Sequence, residues 1–148
     1  MIVRPPADDA EREAALLLRW QRLRAPWGQP RGSEVDAAEA SAILLVAVDD
    51  PGRIIGTGRL HQIDHDTGQI RYMAVATEQS GRGVGRAILA SLEDSARRLG
   101  LARIKLNARS TVVEFYARQG YRDVGPGPTL YGEISHRLMA KPLPPAAA

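Results

Sequence analysis

Apolar and polar residues alternate along this chain in two rhythms, one helical and one strand-like. Ala14, Leu17, Leu18 and Gln21 follow one helical stripe, which Leu16, Trp20 and Leu23 broaden. Asp8 stands before it as an N-cap, with Glu11 at capping-box distance, so a helix is expected from about Asp9 to Arg24. Ahead of it, Ile2-Val3-Arg4 reads as a short strand stopped by Pro5-Pro6. After it, the turn-rich run from Pro26 to Gly32 reads as a loop that exposes Trp27. A short second helix is expected over Glu34 to Ala40.

The rhythm then changes. Ile43 to Val48 is an unbroken apolar run of the kind a buried strand shows, and Asp49-Asp50-Pro51-Gly52 turns it into a partner from Arg53 to Ile63. Gly56 and Gly58 inside that partner signal a bulge or a close backbone approach. A second turn, Asp64 to Gly68, leads into a strand over Gln69 to Thr77. Val84, Ile88, Leu92, Ala96 and Leu99 form the next helical stripe. It closes with Arg97, Arg98 and Gly100, cations and a glycine where a helix C-terminus favours them. Ala102 to Asn107 is a further strand. Thr111 and Glu114 have capping-box spacing for a helix that ends at Gln119-Gly120. Two last strands are expected over Tyr121 to Val124 and Tyr131 to Met139. The Pro- and Ala-rich tail, 141–148, is expected to be disordered. The order is strand, two helices, three strands, helix, strand, helix, two strands. It describes a mixed α/β fold, α+β-like, with one sheet and about four helices, and not the regular alternation of a doubly wound sheet.

Composition narrows the classes. At 148 residues, with 44% hydrophobic and 25% charged, the chain fits a single domain over residues 1–140. No apolar run is long enough to span a bilayer, and the first residues do not resemble a signal peptide. The absence of cysteine excludes disulfides, thiolate metal sites and a cysteine nucleophile, and no metal is expected. The net charge is +3, with arginines scattered and aromatics at 5%, so no basic, aromatic-studded stripe suggests nucleic acid. A cytoplasmic protein without membrane or nucleic-acid partners is the expectation.

One stretch has the make-up of a ligand site. Gln79-Ser80-Gly81-Arg82-Gly83-Val84-Gly85-Arg86 lies between a strand and a helix. Glycines let backbone approach a ligand, and the first amides of a helix lack partners at the positive end of its dipole. Arg82 and Arg86 add charge, so the turn suits a pyrophosphate. It has neither the Walker A ending nor the spacing of the dinucleotide fingerprint. By itself it is equally a tight turn with solvated arginines.

The segment from Ile70 to Tyr121 resembles the GCN5-related N-acetyltransferase (GNAT) superfamily. Met73-Ala74-Val75, the loop from Ser80 to Gly85, and Phe115-Tyr116-Ala117-Arg118-Gln119-Gly120-Tyr121 carry the resemblance. The Trp27 loop and the ending Gly132-Glu133-Ile134-Ser135-His136-Arg137-Leu138-Met139 look like the ElaA-like branch. The chain departs from the family pattern in having Ser80 where Gln or Arg is usual, and Arg109 where Asn is common.

The resemblance implies the GNAT fold, a mostly antiparallel sheet of six to seven strands, and acetyl-CoA as co-substrate. It implies that the amides of Gly81, Arg82, Gly83, Val84, Gly85 and Arg86 hold the pyrophosphate. Backbone groups of Met73 and Val75 would pair with the pantetheine arm and polarise the acetyl carbonyl. Tyr116 would be the general acid to the departing thiolate. His136 is the candidate base and Glu133 a weaker one, whereas His61 reads as a hydrogen-bonded sheet residue and His65 as solvated. Asn107 and Arg109 are expected at the cofactor, Arg109 alternatively at an acidic substrate, with Arg71 in the cleft and Trp27 at the acceptor. The acceptor implied is an amine of a small molecule or peptide, and the family's habit of dimerising makes a homodimer an open expectation. Two rival classes remain: a non-catalytic CoA-binding sensor of the same fold, and a nucleotide-phosphate binder unrelated to acyl transfer.

Overall fold

A computed structural model of the protein describes residues 1–145. Its frame is a seven-stranded sheet made of β1 (Ile2–Arg4), β2 (Ile43–Val48), β3 (Ile54–Gln62), β4 (Thr67–Val75), β5 (Arg103–Arg109), β6 (Arg122–Pro126) and β7 (His136–Pro142). Their spatial order is β1-β2-β3-β4-β5-β7-β6, and every neighbouring pair is antiparallel except β4 with β5.

Both faces of the first half of the sheet are covered, which is why β2 reads as one apolar run. Leu44, Val46 and Val48 pack with Ala15 of α1 (Asp9–Leu23) on one face. Leu45 and Ala47 join the main core under α2 (Val84–Arg98) on the other. Asp8 caps α1 as its spacing predicts, its carboxylate accepting from the Glu11 amide at 2.8 Å. Gly56 and Gly58 exist because α2 lies on them. A Cβ at Gly56 would stand 2.7 Å from Ile88 Cδ1, and one at Gly58 2.6 Å from Met73 Sδ.

Opposite Gly58 the β3–β4 register slips. Two residues of β4, Tyr72 and Met73, fill the place of one, and Tyr72 takes a positive φ of 59°. This is a β-bulge, and it puts Arg71 and Tyr72 on the same face, toward α1, while Met73 turns toward α2.

Several expectations need correction. Glu34–Ala40 is not a helix: only Glu39–Ser41 makes a 3₁₀ turn, because Glu34 is buried and Asp36 and Glu39 are drawn inward to arginines. The helices among the described residues therefore number three. Thr111 caps nothing. Ser110–Val112 is a 3₁₀ turn, and α3 spans only Val113–Arg118 without a side-chain cap. The final strand begins at His136 and not at Tyr131, since Tyr131 and Gly132 have positive φ and turn the chain. It then runs on through Lys141 and Pro142 to a buried Leu143, so ordered structure extends past residue 140. Residues 146–148 of the expected tail lie outside the described residues. No described helix is long and apolar enough to cross a membrane.

Candidate active site

The site exists because two parallel strands part. β4 and β5 pair from Thr67–Arg103 only as far as Ile70–Leu106. Beyond that, β5 stays with β7 and β4 stays with β3, leaving a wedge-shaped gap in the middle of the sheet. The Ala76 amide donates to Ile55 O at 2.9 Å, across toward β3. Backbone groups of a strand alternate in direction, so those of Val75, next to Ala76, point the other way, into the gap, which Met73 also lines. A cavity of about 300 Å³ occupies it.

At one mouth of the gap lies the glycine loop. Gly81 and Gly83 adopt left-handed φ of 76° and 81°, and Gly83 starts α2 with no side-chain cap. The first α-helical bond of α2 is Ala87 N–H to Gly83 O at 3.0 Å. The amides of Gly83, Val84, Gly85 and Arg86 therefore find no acceptor among the described residues. Unpartnered donors at a helix N-terminus, flanked by the exposed Arg82 and Arg86, fit a pyrophosphate group. Phe115 packs against the loop, 3.5 Å from where a Gly85 Cβ would stand.

Tyr116 lines the gap from α3. Its ring is wedged edge-on between Phe115 and Tyr121, and its hydroxyl makes no hydrogen bond among the described residues. Burial pushes its pKa up to about 12, so the phenol keeps its proton near neutral pH. Tyr121 is different: its hydroxyl donates to the buried Glu93 at 2.8 Å, and Lys141 bonds the other Glu93 oxygen at 3.0 Å. That triad anchors α2 and the start of β6 to β7.

His136 sits at the opposite wall, buried, with Nδ1 2.9 Å from Pro128 O. A carbonyl only accepts, so Nδ1 carries the proton and Nε2 of the neutral ring is left with a lone pair. Asn107, Arg109 and Arg71 also line the cavity. Glu133 is exposed on a turn and Trp27 is half-buried in a 3₁₀ turn, and neither borders the cavity. His65 is solvated, and His61 is a sheet residue, Nδ1 3.3 Å from Arg59. Burial, then the charge of Arg59, lowers the His61 pKa.

The sequence reading missed a cationic cluster on the α1 side. Tyr72 is its hub: the guanidiniums of Arg19, Arg71, Arg59 and Arg24 lie 4.4, 4.5, 4.9 and 5.6 Å from its ring centre. Asp36 grips Arg59 and Arg71, each at 2.7 Å, and Glu39 grips Arg19 at 2.6 Å. Arg59 holds the Asp36 carboxyl far below its ordinary value. Burial pushes Glu39 up, but Arg19 and Arg59 pull it further down. Arg22 and Arg24, at the end of α1, border the cavity as well. Nothing in their local pattern marks them, because they meet Arg109 only through the fold, 86 residues apart along the chain at Leu23.

A family model described as the acetyltransferase (GNAT) family matches residues 12–121. Over 112 residues the chain is 30% identical to the uncharacterized N-acetyltransferase YjcF of Bacillus subtilis, which covers 76% of this chain and 79% of that protein. Over 73 residues it is 38% identical to the amino-acid acetyltransferase of Mycobacterium tuberculosis. That match covers 49% of this chain but 41% of the relative, so the chain spans less than half of that protein's length. In fold it is similar to an aminoglycoside 6'-N-acetyltransferase solved with coenzyme A, with a TM-score of 0.82 at 18% identity and all of both chains covered. It is likewise similar to a GCN5-related N-acetyltransferase from Kribbella flavida, with a TM-score of 0.74 at 24% identity, covering 96% of this chain and 97% of that one. The likeness reaches the family and not the ElaA-like branch.

Proposed function

Since the chain belongs to the acetyltransferase (GNAT) family and is an acetyl-CoA-dependent N-acetyltransferase, we propose that it moves the acetyl group by direct attack of an amine of a small molecule or peptide. The observation that carries this reading is the parted β4–β5 gap, with a protonated, unpartnered tyrosine hydroxyl on its wall. Acetyl-CoA supplies the acyl group as a thioester.

The residues of the chain divide the work. The amides from Gly83 to Arg86, with Arg82 and Arg86 beside them, bind the pyrophosphate. Met73 and Val75 turn their backbone into the gap, where an extended arm can pair as a strand does. A donor there faces the carbonyl oxygen as negative charge grows on it, and one such donor contributes about 3 kcal/mol. His136 Nε2 takes the proton of the amine, directly or through water. A carbon–nitrogen bond forms, the carbon–sulfur bond breaks, and the Tyr116 hydroxyl gives its proton to the departing sulfur. Arg109, reaching back to Leu23 on the α1 side, belongs with the acceptor in this arrangement and not with the pyrophosphate.

Tyr116→Phe tests the assignment. It should lower kcat by about 100-fold and leave the acetyl-CoA affinity, measured by calorimetry, nearly unchanged. An unaltered kcat with the chemical step rate-limiting would take Tyr116 out of the mechanism. Binding of acetyl-CoA without transfer to any amine would favour the sensor class.

A further inference from the structure

The acceptor side of the cavity carries charge of one sign. Arg109 projects from β5 on the face opposite its buried neighbour Ala108, half-buried, and its hydrogen bond is Nη2 to Leu23 O at 3.3 Å. Arg24 spends Nε on Ser33 O at 3.0 Å and Nη1 on Leu23 O at 3.1 Å. Arg22 stands exposed in the last turn of α1 and borders the same cavity. Each of these guanidiniums lacks a carboxylate partner among the described residues.

The contrast lies around Tyr72, whose ring Arg24 also faces. Arg19, Arg59 and Arg71 share Asp36 and Glu39, so those two acids are already committed to three cations. Glu34, the other buried acid on this side, accepts from the Gly32 amide and faces Arg31. Burial and then the neighbouring charges of Arg24 and Arg22 make the Arg109 cation harder to hold, and only Tyr131 opposes them. Keeping like charges together in a partly desolvated pocket costs free energy, and an anion among them removes that cost. A planar guanidinium fork fits a carboxylate bidentately.

We propose that the acceptor amine carries a carboxylate, held by Arg109 with Arg22 and Arg24 beside it, while its nitrogen faces the Met73–Val75 edge. The class is an amino acid or another short amino-carboxylate, and polycationic amines are disfavoured by the same charges. This rests on the transfer reading above, and the bonds made and broken are those given there.

The test is a set of matched acceptors. Coenzyme A release is followed with the common α-, β- and γ-amino acids, each against its carboxamide and its decarboxylated amine, and against spermidine as a polycation. The carboxylate member should exceed its carboxamide in kcat/KM by roughly tenfold or more. Arg109→Gln should erase most of that preference while changing carboxamide turnover much less, and Arg109→Lys should restore part of it. The CoA-loaded protein is also titrated with the same compounds by calorimetry, so that a folded but slow variant still reports binding. Preference for carboxamides or spermidine would overturn the proposal. So would an Arg109→Gln that lowers both members of a pair alike, or carboxylates that are neither acetylated nor bound by the CoA-loaded protein while acetyl-CoA binds. Failure of acetyl-CoA itself to bind would instead overturn the transfer reading.

Discussion

At the scale of single residues, the pair Asp36 and Arg59 shows how charge sets the protein's pH behaviour. Asp36 has its carboxyl pulled well below the ordinary 3.8, first by its hydrogen bonds to the fully buried Arg59. A carboxyl depressed on folding stabilises the fold above its unfolded pKa, and that stability drains as pH falls toward the folded value. Thermal midpoints should therefore hold steady down to about pH 4 and fall steeply below it. Asp36→Asn should cost about 2 kcal/mol near neutrality and show a shallower acid slope. Equal slopes for the two proteins would show that other carboxyls govern acid unfolding. None of this was legible in the sequence, where Asp36 reads as one polar residue of a presumed helix. Tyr116 and His136 could be singled out in the sequence as candidates, because a motif or an ending marks each locally, and both line the cavity. Arg22 and Arg24 could not be, because only the fold brings the end of α1 beside Arg109 at the cavity.

At the scale of elements, periodicity served wherever a stripe was long. It foresaw α1, α2 and the β2–β3 hairpin to within a few residues. It failed where short polar segments obey tertiary partners: Glu34 to Ala40 has helical composition but spends its acids on buried arginines, and Thr111 to Glu114 has capping spacing but no cap. The glycines divide in the same way. Gly58 is fixed by space, with Met73, Ile88 and Leu92 within 3.0 Å of any added Cβ. Gly83 is fixed by backbone, with φ of 81° and nothing within 4 Å. Gly58→Ala should thus cost about 2 kcal/mol in urea unfolding through overpacking. Gly83→Ala should cost about 1 kcal/mol but weaken acetyl-CoA binding more than Gly58→Ala does. A smaller stability cost at Gly58 than at Gly83 would mean that α2 tolerates displacement from the sheet, and weaker acetyl-CoA binding by Gly58→Ala than by Gly83→Ala would mean that displacing α2 disturbs the loop.

At the scale of the whole molecule, the sheet has two parts, β1 to β4 and β5 to β6, joined edge to edge by a short run of parallel pairing that ends at Ile70 and Leu106. If acetyl-CoA lies along the Met73–Val75 edge as proposed, it should slow hydrogen exchange at those two amides and at the first turn of α2. Unchanged exchange at Met73 and Val75 in the saturated protein would show that the arm does not pair with β4. The same gap carries a liability. Without its occupant, β4 offers bare donors and acceptors to any passing chain, as the rim of a sheet does, and such rims recruit strands from other molecules. A co-substrate bound in the gap would then act as a plug against self-association. Protein stripped of it should then aggregate first on warming, and added acetyl-CoA should delay that onset.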